Sequence, residues 1–180
     1  VFFHLEELHS VTQGIKKALK KDGIFVIQFL YMKKIVDNLA FDQIYHEHLL
    51  YYNLKNVEIL LERHGLEIFD CNLADIHGGS MIAFATHKGK KPQTERLIHY
   101  KQKEDIHNAN DIKTYQNFAK RIEIMKEENI KYLDNAVSKG KVVYGMGAPV
   151  KGNTLLNYFG IGTNYLKYLV EKNSMRDGLY

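Results

Sequence analysis

The chain has 180 residues, a length that holds one domain or parts of two and excludes a complete large enzyme. Apolar residues make up 45% of the chain and aromatic residues 12%, with only 2 prolines, which excludes a disordered or collagen-like protein. The net charge of +4 is small, and the basic residues are scattered among acidic ones. We therefore expect no nucleic-acid partner, although the charge favours an anionic small substrate.

The cysteine content and the first residues predict a cytoplasmic location. Cys71 is the single cysteine, so the chain forms no internal disulfide and has no Cys-x-x-Cys metal pair, as is typical of a reducing compartment. Residues 1–7 carry acids where a signal peptide needs positive charge. Apolar runs such as residues 24–30 are too short to span a bilayer, so we expect no membrane partner.

The first 90 residues alternate between helical and strand patterns. Apolar residues recur at helical spacing over residues 5–19, and residues 24–30, which are apolar apart from Gln28, predict a strand covered on both faces. After an irregular stretch, Asn53 is placed to cap a short helix over residues 54–61. Strands over residues 66–73 and 81–86 follow, joined by a tight turn. A helix followed by a buried strand predicts an α/β fold.

The second half of the chain begins with long amphipathic helices. Between residues 94 and 138 the composition shifts to Lys, Glu, Asn and Ile, with apolar residues at helical spacing, which predicts a rigid helical bridge. A short strand over residues 140–145, a glycine-bearing turn entering a helix over 147–157 and a strand over 165–170 come next. We therefore predict three parts: residues 1–90, a helical bridge over 91–139, and the start of a second α/β unit over 140–180.

The densest group of ionisable side chains is the Tyr-His-Glu-His sequence of residues 45–48. A histidine exchanges protons near neutral pH, a carboxylate orients its ring, and a tyrosine hydroxyl donates to a developing oxyanion. These groups suit proton abstraction beside a carbonyl. The alternative, of about equal weight, is a surface loop whose polar groups bond to the backbone. A zinc site is disfavoured, because His46 and His48 have no cysteine partner and lack the His-Glu-x-x-His spacing.

Two further segments have both a structural and a functional interpretation. His77-Gly78-Gly79-Ser80 lies between two predicted strands, where glycines permit close approach to a ligand but also form ordinary hairpin turns. Taken alone, the segment is better interpreted as a turn. His4, beside two phenylalanines at a helix start, is equally suited to a capping or core position.

Residues 142–154 resemble a strand, glycine loop and helix that cradle a phosphate. The strict patterns fail, since Val150 occupies the third glycine position of Gly-x-Gly-x-x-Gly, and Lys151 precedes Gly152 rather than following it. A dinucleotide or ATP site is therefore disfavoured. A phosphate contact from Lys151 or from the loop amides remains a reasonable expectation.

Five stretches of the chain together resemble the deoxysugar C-methyltransferases, enzymes that use S-adenosylmethionine to methylate a ring carbon of nucleotide-linked keto-sugars. The stretches, in family order, are residues 1–9 (VFFHLEELH), 19–28, 41–48 (FDQIYHEH), 77–80 (HGGS) and 145–157 (GMGAPVKGNTLLN). Each motif is weak alone, but their order and spacing over nearly the whole chain are specific.

The resemblance implies an enzyme with a cysteine-bound zinc segment, a Rossmann-like methyltransferase core and a C-terminal Rossmann-like α/β domain that helps to hold the nucleotide-sugar. Residues 1–90 would then be the end of the core, with its active-site loop, and residues 140–180 the start of the C-terminal domain. His48 would be the base, and the turn at residues 77–79 would support the active site. The implied residues are, for catalysis, His48, Glu47, Tyr45 and His4 and, for substrate binding, His77, Gly78, Gly79, Lys151 and Asn153.

The zinc cysteines and the glycine-rich loop for S-adenosylmethionine belong upstream of Val1 in such enzymes, and neither is present in the sequence. We therefore expect a fragment that binds the cofactor poorly and is inactive alone, with zinc confined to the parent enzyme. The alternative function is a nucleotide-sugar binding or scaffold module without chemistry of its own. A nicotinamide-dependent sugar oxidoreductase is disfavoured by Val150.

Overall fold

The computed structural model describes residues 2–147 and 149–172. Val1, Ala148 and residues 173–180, which the sequence predictions include, lie outside the described residues. The described residues form two compact units: unit 1 comprises residues up to 40 together with 46–116, and unit 2 comprises residues 41–45 and 117–172. The division into the parts 1–90, 91–139 and 140–180 stays a prediction.

Unit 1 alternates helices and strands, as an α/β fold requires. A short 3₁₀ helix, Phe2–His4, precedes its main elements. In chain order these are α1 (Leu8–Ala18), β1 (Phe25–Leu30), α2 (Met32–Asp37), α3 (Leu54–Arg63), β2 (Leu66–Ala74), β3 (Ser80–His87) and α4 (Glu95–Ile106). The predicted helix at residues 54–61 and the predicted hairpin are confirmed. The stretch at residues 31–52, predicted to be irregular, contains α2.

The sheet of unit 1 has three strands in the order β1-β3-β2. Strand β3 is antiparallel to both neighbours, pairing Ala83 with Ile27 on one side and with Cys71 on the other. Because both outer strands oppose β3, they run in the same direction. Their carboxyl ends therefore lie at one edge of the sheet, and Tyr31 and the turn at residues 75–79 follow at that edge.

The core of unit 1 lies between the sheet and its helices. Leu54, Val57 and Leu61 on one face of α3 are fully buried, as are Phe29 and Met81 on the strands. Burying one such side chain contributes about 1.5–3 kcal/mol. The apolar spacing that predicts α3 is therefore the spacing of the residues that hold the helix on the sheet.

Strand β1 has one buried and one open face within the described residues, so the prediction that both faces are covered is wrong. Ile27 and Phe29 are buried, whereas Val26 between them is 54% exposed and Gln28 is also exposed. A nearly continuous apolar run indicates that a strand tolerates burial on both faces, but it does not show that another element covers the second face. Here the second face borders a groove, lined by Val26 and Gln28 of β1 and by Val11 and Ile15 of α1, which we call the β1 groove.

Unit 2 contains a parallel strand pair joined by a helix. The 27-residue helix α5 (Ile112–Ser138) begins within the residues of unit 1 and continues into unit 2. It is followed by β4 (Val143–Met146), α6 (Val150–Phe159) and β5 (Leu166–Val170). Strands β4 and β5 pair in parallel, which requires the crossover that α6 provides. The α/β fold class predicted from the sequence is therefore confirmed.

None of the helices in the described part of the chain combines the length and the apolar character needed to cross a membrane.

Candidate active site

Residues 46–48 of unit 1 lie next to its first 3₁₀ helix. Nδ1 of His4 donates a hydrogen bond to the main-chain carbonyl of Glu47. The rings of His4 and His48 lie 5.3 Å apart between centroids, and the ring of Tyr51 lies 6.0 Å from that of His48. The structure therefore brings His4 next to Glu47 and His48, although Glu47 lies 43 residues after His4 in the sequence.

The contact with Glu47 defines what His4 can do. Because Nδ1 carries the hydrogen donated to a carbonyl, a neutral His4 has its lone pair on Nε2 and accepts there. It donates from Nε2 only when the ring is protonated. The predicted role of His4 as an oxyanion donor thus requires its imidazolium form, whereas a base at His48 must be neutral before it takes a proton.

Tyr45 belongs to unit 2, and its segment is anchored there by aromatic packing. Phe41 is 6% exposed, and its ring lies 5.3 Å from that of Phe159 in a stacked arrangement and 5.3 Å from that of Tyr158 in a tilted one. Such pairs contribute about 0.5–1.5 kcal/mol beyond area burial. This anchoring of the FDQIY stretch was not predicted, because partners more than 100 residues away leave no periodic signal.

Lys151, predicted to bind substrate, contacts the same segment. Its Nζ donates to Oε1 of Gln43 at 2.8 Å, and Gln43 is 7% exposed. Lys151 and Asn153 lie in the first turn of α6, directly after the glycine loop, so the predicted order of strand, loop and helix is present. A phosphate that approaches Lys151 would therefore share the ammonium group with Gln43.

Gly145 in β4 and Gly79 in the hairpin turn are glycines for different structural reasons. A Cβ on Gly145 would lie 2.4 Å from Cδ2 of Leu169, so glycine allows the close approach of β4 and β5. Gly79 has φ +128°, and a Cβ there would lie 2.8 Å from Cγ of Lys34. The carbonyl of Gly78 also accepts from Nδ2 of Asn38 at 3.2 Å. Helix α2 therefore packs directly against the turn, and this packing explains why the turn has glycine at residue 79.

His77 lines the β1 groove, a cavity of about 500 Å³. Phe2 and Leu5, on either side of His4 in sequence, line it as well. Its polar lining residues are Gln28, Ser80 and His77, and the rest are apolar residues of α1 and β1. His77 has φ +53°, a left-handed conformation that is rare for a residue with a side chain. The turn thus contributes one wall of a cavity beside the loop of His4.

A buried carboxylate that the sequence did not single out holds the chain just after His48. Glu104 is 2% exposed and accepts hydrogen bonds from the main-chain amides of Leu54 at 2.6 Å and Lys55 at 3.2 Å. Asn53 is the N-cap residue of α3 as predicted, but its Oδ1 accepts from the amide of Lys33 at 2.9 Å. Glu104, a residue of α4, is therefore the acceptor for the first two amides of α3, and Asn53 and Asn56 form a capping box at the same end.

Nδ2 of Asn53 extends this network to the start of α5. It donates to the carbonyl of Ala109 at 2.7 Å and lies 3.1 Å from the hydroxyl of Tyr115. Asn53 is 1% exposed, and burial raises the pKa of the Tyr115 hydroxyl, which therefore keeps its proton. The network joins α2, α3, α4 and α5 within unit 1. In the sequence, nothing distinguishes the residues that form it from other polar residues.

Cys71 is fully buried, and burial raises the pKa of its thiol to about 12. It therefore stays protonated and is neither a nucleophile nor a metal ligand at neutral pH. Among the described residues, no cluster of three or more His, Cys, Asp or Glu side chains is arranged to hold a metal ion.

The structure is that of an α/β chain in which the rings of His4 and His48 lie close together, and comparison with known proteins gives its family. The family of C-methyltransferase C-terminal domains matches residues 75–180. The chain is also 31% identical, over 182 aligned positions, to the C-methyltransferase NovU of Streptomyces niveus. That alignment covers 98% of this chain and 42% of the relative. The chain belongs to the C-methyltransferase family, and the predicted resemblance is confirmed.

Proposed function

We propose that this chain supplies the proton-transfer residues for carbon methylation of a nucleotide-linked keto-deoxysugar, in the cytoplasm. The observation that carries the proposal is the pairing of the His4 and His48 rings, with His4 held by the carbonyl of Glu47. Membership of the C-methyltransferase family supports the reaction class.

The proposed chemistry starts at the carbon beside the sugar's keto group, because a carbonyl acidifies the adjacent C–H bond. His48 accepts that proton, and the electron pair moves onto the carbonyl oxygen as an enolate. His4, protonated on both nitrogens, stabilises the oxygen from Nε2 while Nδ1 stays bound to Glu47. Tyr45 and the Glu47 carboxylate keep the roles that the motif predicts, as an oxyanion donor and as the group that orients His48.

The proposal does not place S-adenosylmethionine in the β1 groove. The lining of this groove contains no carboxylate to pair with the cofactor's cationic groups or ribose hydroxyls. We therefore assign cofactor binding to other parts of the parent enzyme, which correspond to the part of the relative outside the alignment. We assign zinc binding to those parts as well. The substrate-binding roles of His77, Gly78, Gly79, Lys151 and Asn153 stay predictions, and we expect the chain alone to transfer no methyl group.

Deuterium exchange tests the proton-transfer step without methyl transfer. In the full-length protein that carries this chain, a keto-sugar nucleotide incubated in D₂O should exchange the proton beside its carbonyl. His48→Asn should slow this exchange by roughly 10²–10⁴-fold, the usual contribution of a general base, with little change in substrate affinity. His99→Asn is the matched control, because His99 is an exposed histidine of α4. Exchange at the wild-type rate in the His48 variant would remove this residue from the role of base.

The second candidate is a nucleotide-sugar binding module without chemistry, which the lack of a strict glycine-rich cofactor loop in the sequence favours. Calorimetry on the 180-residue chain separates the two. Binding of a nucleotide-sugar with no binding of S-adenosylmethionine and no deuterium exchange in the full-length protein would support the module. Binding of both ligands by the chain alone would contradict the assignment of cofactor binding to other parts.

A further inference from the structure

The loop of residues 46–50 presents His48 without the support of a regular element. These residues lie in neither a helix nor a strand, so the hydrogen bonds of a helix or a sheet do not fix the ring of His48. The ring is nevertheless partly buried, whereas Leu49 and Leu50, which follow it, are 46% and 37% exposed. The leucines of the loop thus lie partly in solvent, and the position of the imidazole depends on the rings that contact it.

Two rings contact the imidazole of His48 within unit 1. The ring of His4 lies 5.3 Å away at an interplanar angle of 60°. The ring of Tyr51 lies 6.0 Å away at an interplanar angle of 69°, in a T-shaped arrangement. Aromatic pairs favour this arrangement, with ring centroids about 4.5–7 Å apart. The base of the proposed reaction therefore contacts a tyrosine to which the motif of residues 45–48 assigns no role.

Tyr51 is itself placed by the residue that follows it. The main-chain carbonyl of Tyr52 accepts a hydrogen bond from the amide of Met32 at 2.9 Å, and Tyr52 forms an isolated parallel bridge with Tyr31, directly after β1. The side chain of Tyr52 is 6% exposed. Successive side chains of an extended chain point to opposite sides, so the burial of Tyr52 directs Tyr51 away from the core and towards His48.

The ring of Tyr52 also joins this segment to the segment of His4. It lies 5.9 Å from the ring of Phe29 in β1 and 6.0 Å from the ring of Phe2, which is two residues before His4 in the first 3₁₀ helix. Each of these three rings is 6% exposed or less. The segment before His4 and the segment after the loop thus meet in one buried aromatic cluster, which gives both contacts of the base a fixed support.

A partly buried tyrosine beside a histidine also occurs where no reaction is proposed. Tyr100 of α4 is partly buried, packs against the core of unit 1 and makes a T-shaped contact with the ring of its exposed neighbour His99, at 5.8 Å between centroids. Packing accounts for this tyrosine. Tyr51 differs because the histidine that it contacts is the base of the proposed reaction, and Tyr100 therefore provides a matched comparison.

We propose that Tyr51 is a positioning residue for His48, and that its ring, rather than its hydroxyl, restricts the imidazole to the orientation in which it reaches the substrate proton. The inference rests on the proposed proton transfer at His48. A general base must lie within hydrogen-bond reach of the proton that it removes, and small errors in its placement slow the reaction. A ring that limits the rotation of His48 therefore affects the rate of proton removal and not the affinity for substrate.

Deuterium exchange of a keto-sugar nucleotide in the full-length protein tests this role. Tyr51→Leu should slow the maximal exchange rate roughly three- to tenfold, the size expected for the loss of one aromatic contact, and should change KM by less than about twofold. Tyr51→Phe should exchange within about twofold of the wild-type rate, because it keeps the ring. Tyr100→Leu is the matched control, since it removes a tyrosine with the same kind of histidine contact and should leave exchange unchanged.

A spectroscopic measurement reports the ring contact independently of the reaction. In full-length protein with isotope-labelled histidine, the imidazole signals of His48 are those that His48→Asn removes. They should shift in Tyr51→Leu and stay near their wild-type positions in Tyr51→Phe, because the ring current of an aromatic neighbour acts on nearby nuclei. Tyr51→Met is a second variant without the ring, and it replaces Tyr51→Leu if urea unfolding shows that variant to be less stable than Tyr100→Leu.

The outcomes separate this inference from the proposed function. Slower exchange without the ring, together with recovery in Tyr51→Phe, supports the positioning role. If His48→Asn is slow but the variants without the ring exchange at the wild-type rate, the positioning role is overturned and the base is not. Equal slowing in Tyr51→Phe also overturns it, since the hydroxyl would then be responsible, and so does a change confined to KM, which would indicate a substrate contact. Exchange at the wild-type rate in His48→Asn overturns the proposed function and this inference with it.

Discussion

Replacing Glu104 by alanine should destabilise unit 1 more than any exposed substitution on the same helix. The carboxylate accepts the amides of Leu54 and Lys55 and, at 3.2 Å, the side-chain amide of Asn110. Alanine removes all three acceptor contacts at once. It leaves the first two amides of α3 facing a site that is only 2% exposed, where water does not readily replace the carboxylate.

The size of the effect follows from the contacts. A hydrogen bond to a charged group contributes about 1.5–3 kcal/mol, and a negative charge at a helix N-terminus about 0.3–1 kcal/mol. The contributions of one side chain are not additive, so we expect Glu104→Ala to lower the free energy of unfolding by about 3–5 kcal/mol, because two buried amides lose their acceptor at a cost of about 1–3 kcal/mol each. Glu104→Gln keeps one carbonyl acceptor and should cost about 1–3 kcal/mol.

Urea unfolding followed by far-UV circular dichroism measures the loss, and hydrogen exchange at the amide of Leu54 locates it. In Glu104→Ala this amide should exchange at least roughly 100-fold faster, since about 1.4 kcal/mol corresponds to a factor of ten. Asp105→Asn is the control, because Asp105 is the adjacent exposed residue of α4; it should change stability by less than about 0.5 kcal/mol. A loss below about 1 kcal/mol in Glu104→Ala, or unchanged exchange at Leu54, would refute the view that this carboxylate caps α3.

Two other predictions concern the hairpin and its neighbour. Gly79→Ala should cost about 1–3 kcal/mol more than Gly89→Ala in urea unfolding, because both glycines have positive φ but only at Gly79 does the new Cβ meet a side chain, whereas Gly89 has open space; equal costs would contradict the close packing of α2. Partial burial acts to raise the pKa of Asp70, but hydrogen bonds from Arg96, Thr94 and the amide of Cys71 outweigh it and lower that pKa below its ordinary value. The stability from these bonds should be present above about pH 4 and be lost as the pH falls through the lowered pKa of Asp70 in the folded chain. Below about pH 4 the urea midpoint of the wild type should therefore fall more steeply with pH than that of Arg96→Met. Parallel plots of the urea midpoint against pH for the two proteins would contradict this.

Much of unit 1 could be predicted from local patterns. Apolar residues at helical spacing gave α3, because the residues that repeat along the chain are those that face the sheet. The two glycines after His77 indicated the turn between β2 and β3, because few other residues adopt positive φ there. Such features depend on neighbours within a few positions, which is the range that periodicity and turn chemistry report.

The contacts between distant residues could not be derived in this way. The burial of Glu104 depends on α4 returning to the start of α3, and no feature of the surrounding Lys, Glu and Asp residues distinguishes it. The same holds for Phe41, whose partners are on α6. Hydrophobic pattern also failed at Val26, because an apolar residue on a strand does not indicate whether another element covers it.

The candidate site was predicted in part. The ionisable groups of residues 45–48 indicated proton chemistry from their residue types alone, and this assignment stays a prediction. His4 lies more than 40 residues earlier beside ordinary apolar residues, so only the family resemblance connected it with His48. The ring contact between them in the structure is therefore independent of the local pattern, and it supplies the tautomer argument that the sequence lacks.

The central position of β3 sets a condition on the order in which unit 1 folds. Strand β1 pairs only with β3 among the described strands, and β3 ends 57 residues after β1 ends, at His87 compared with Leu30. During synthesis, β1 has no strand partner until residues 80–87 have left the ribosome, whereas β2 and β3 pair locally as a hairpin. Until then the apolar residues of β1 are exposed to solvent and to other chains. We therefore expect a chain that ends before Ser80 to aggregate, and folding of unit 1 to be completed when the hairpin docks on β1.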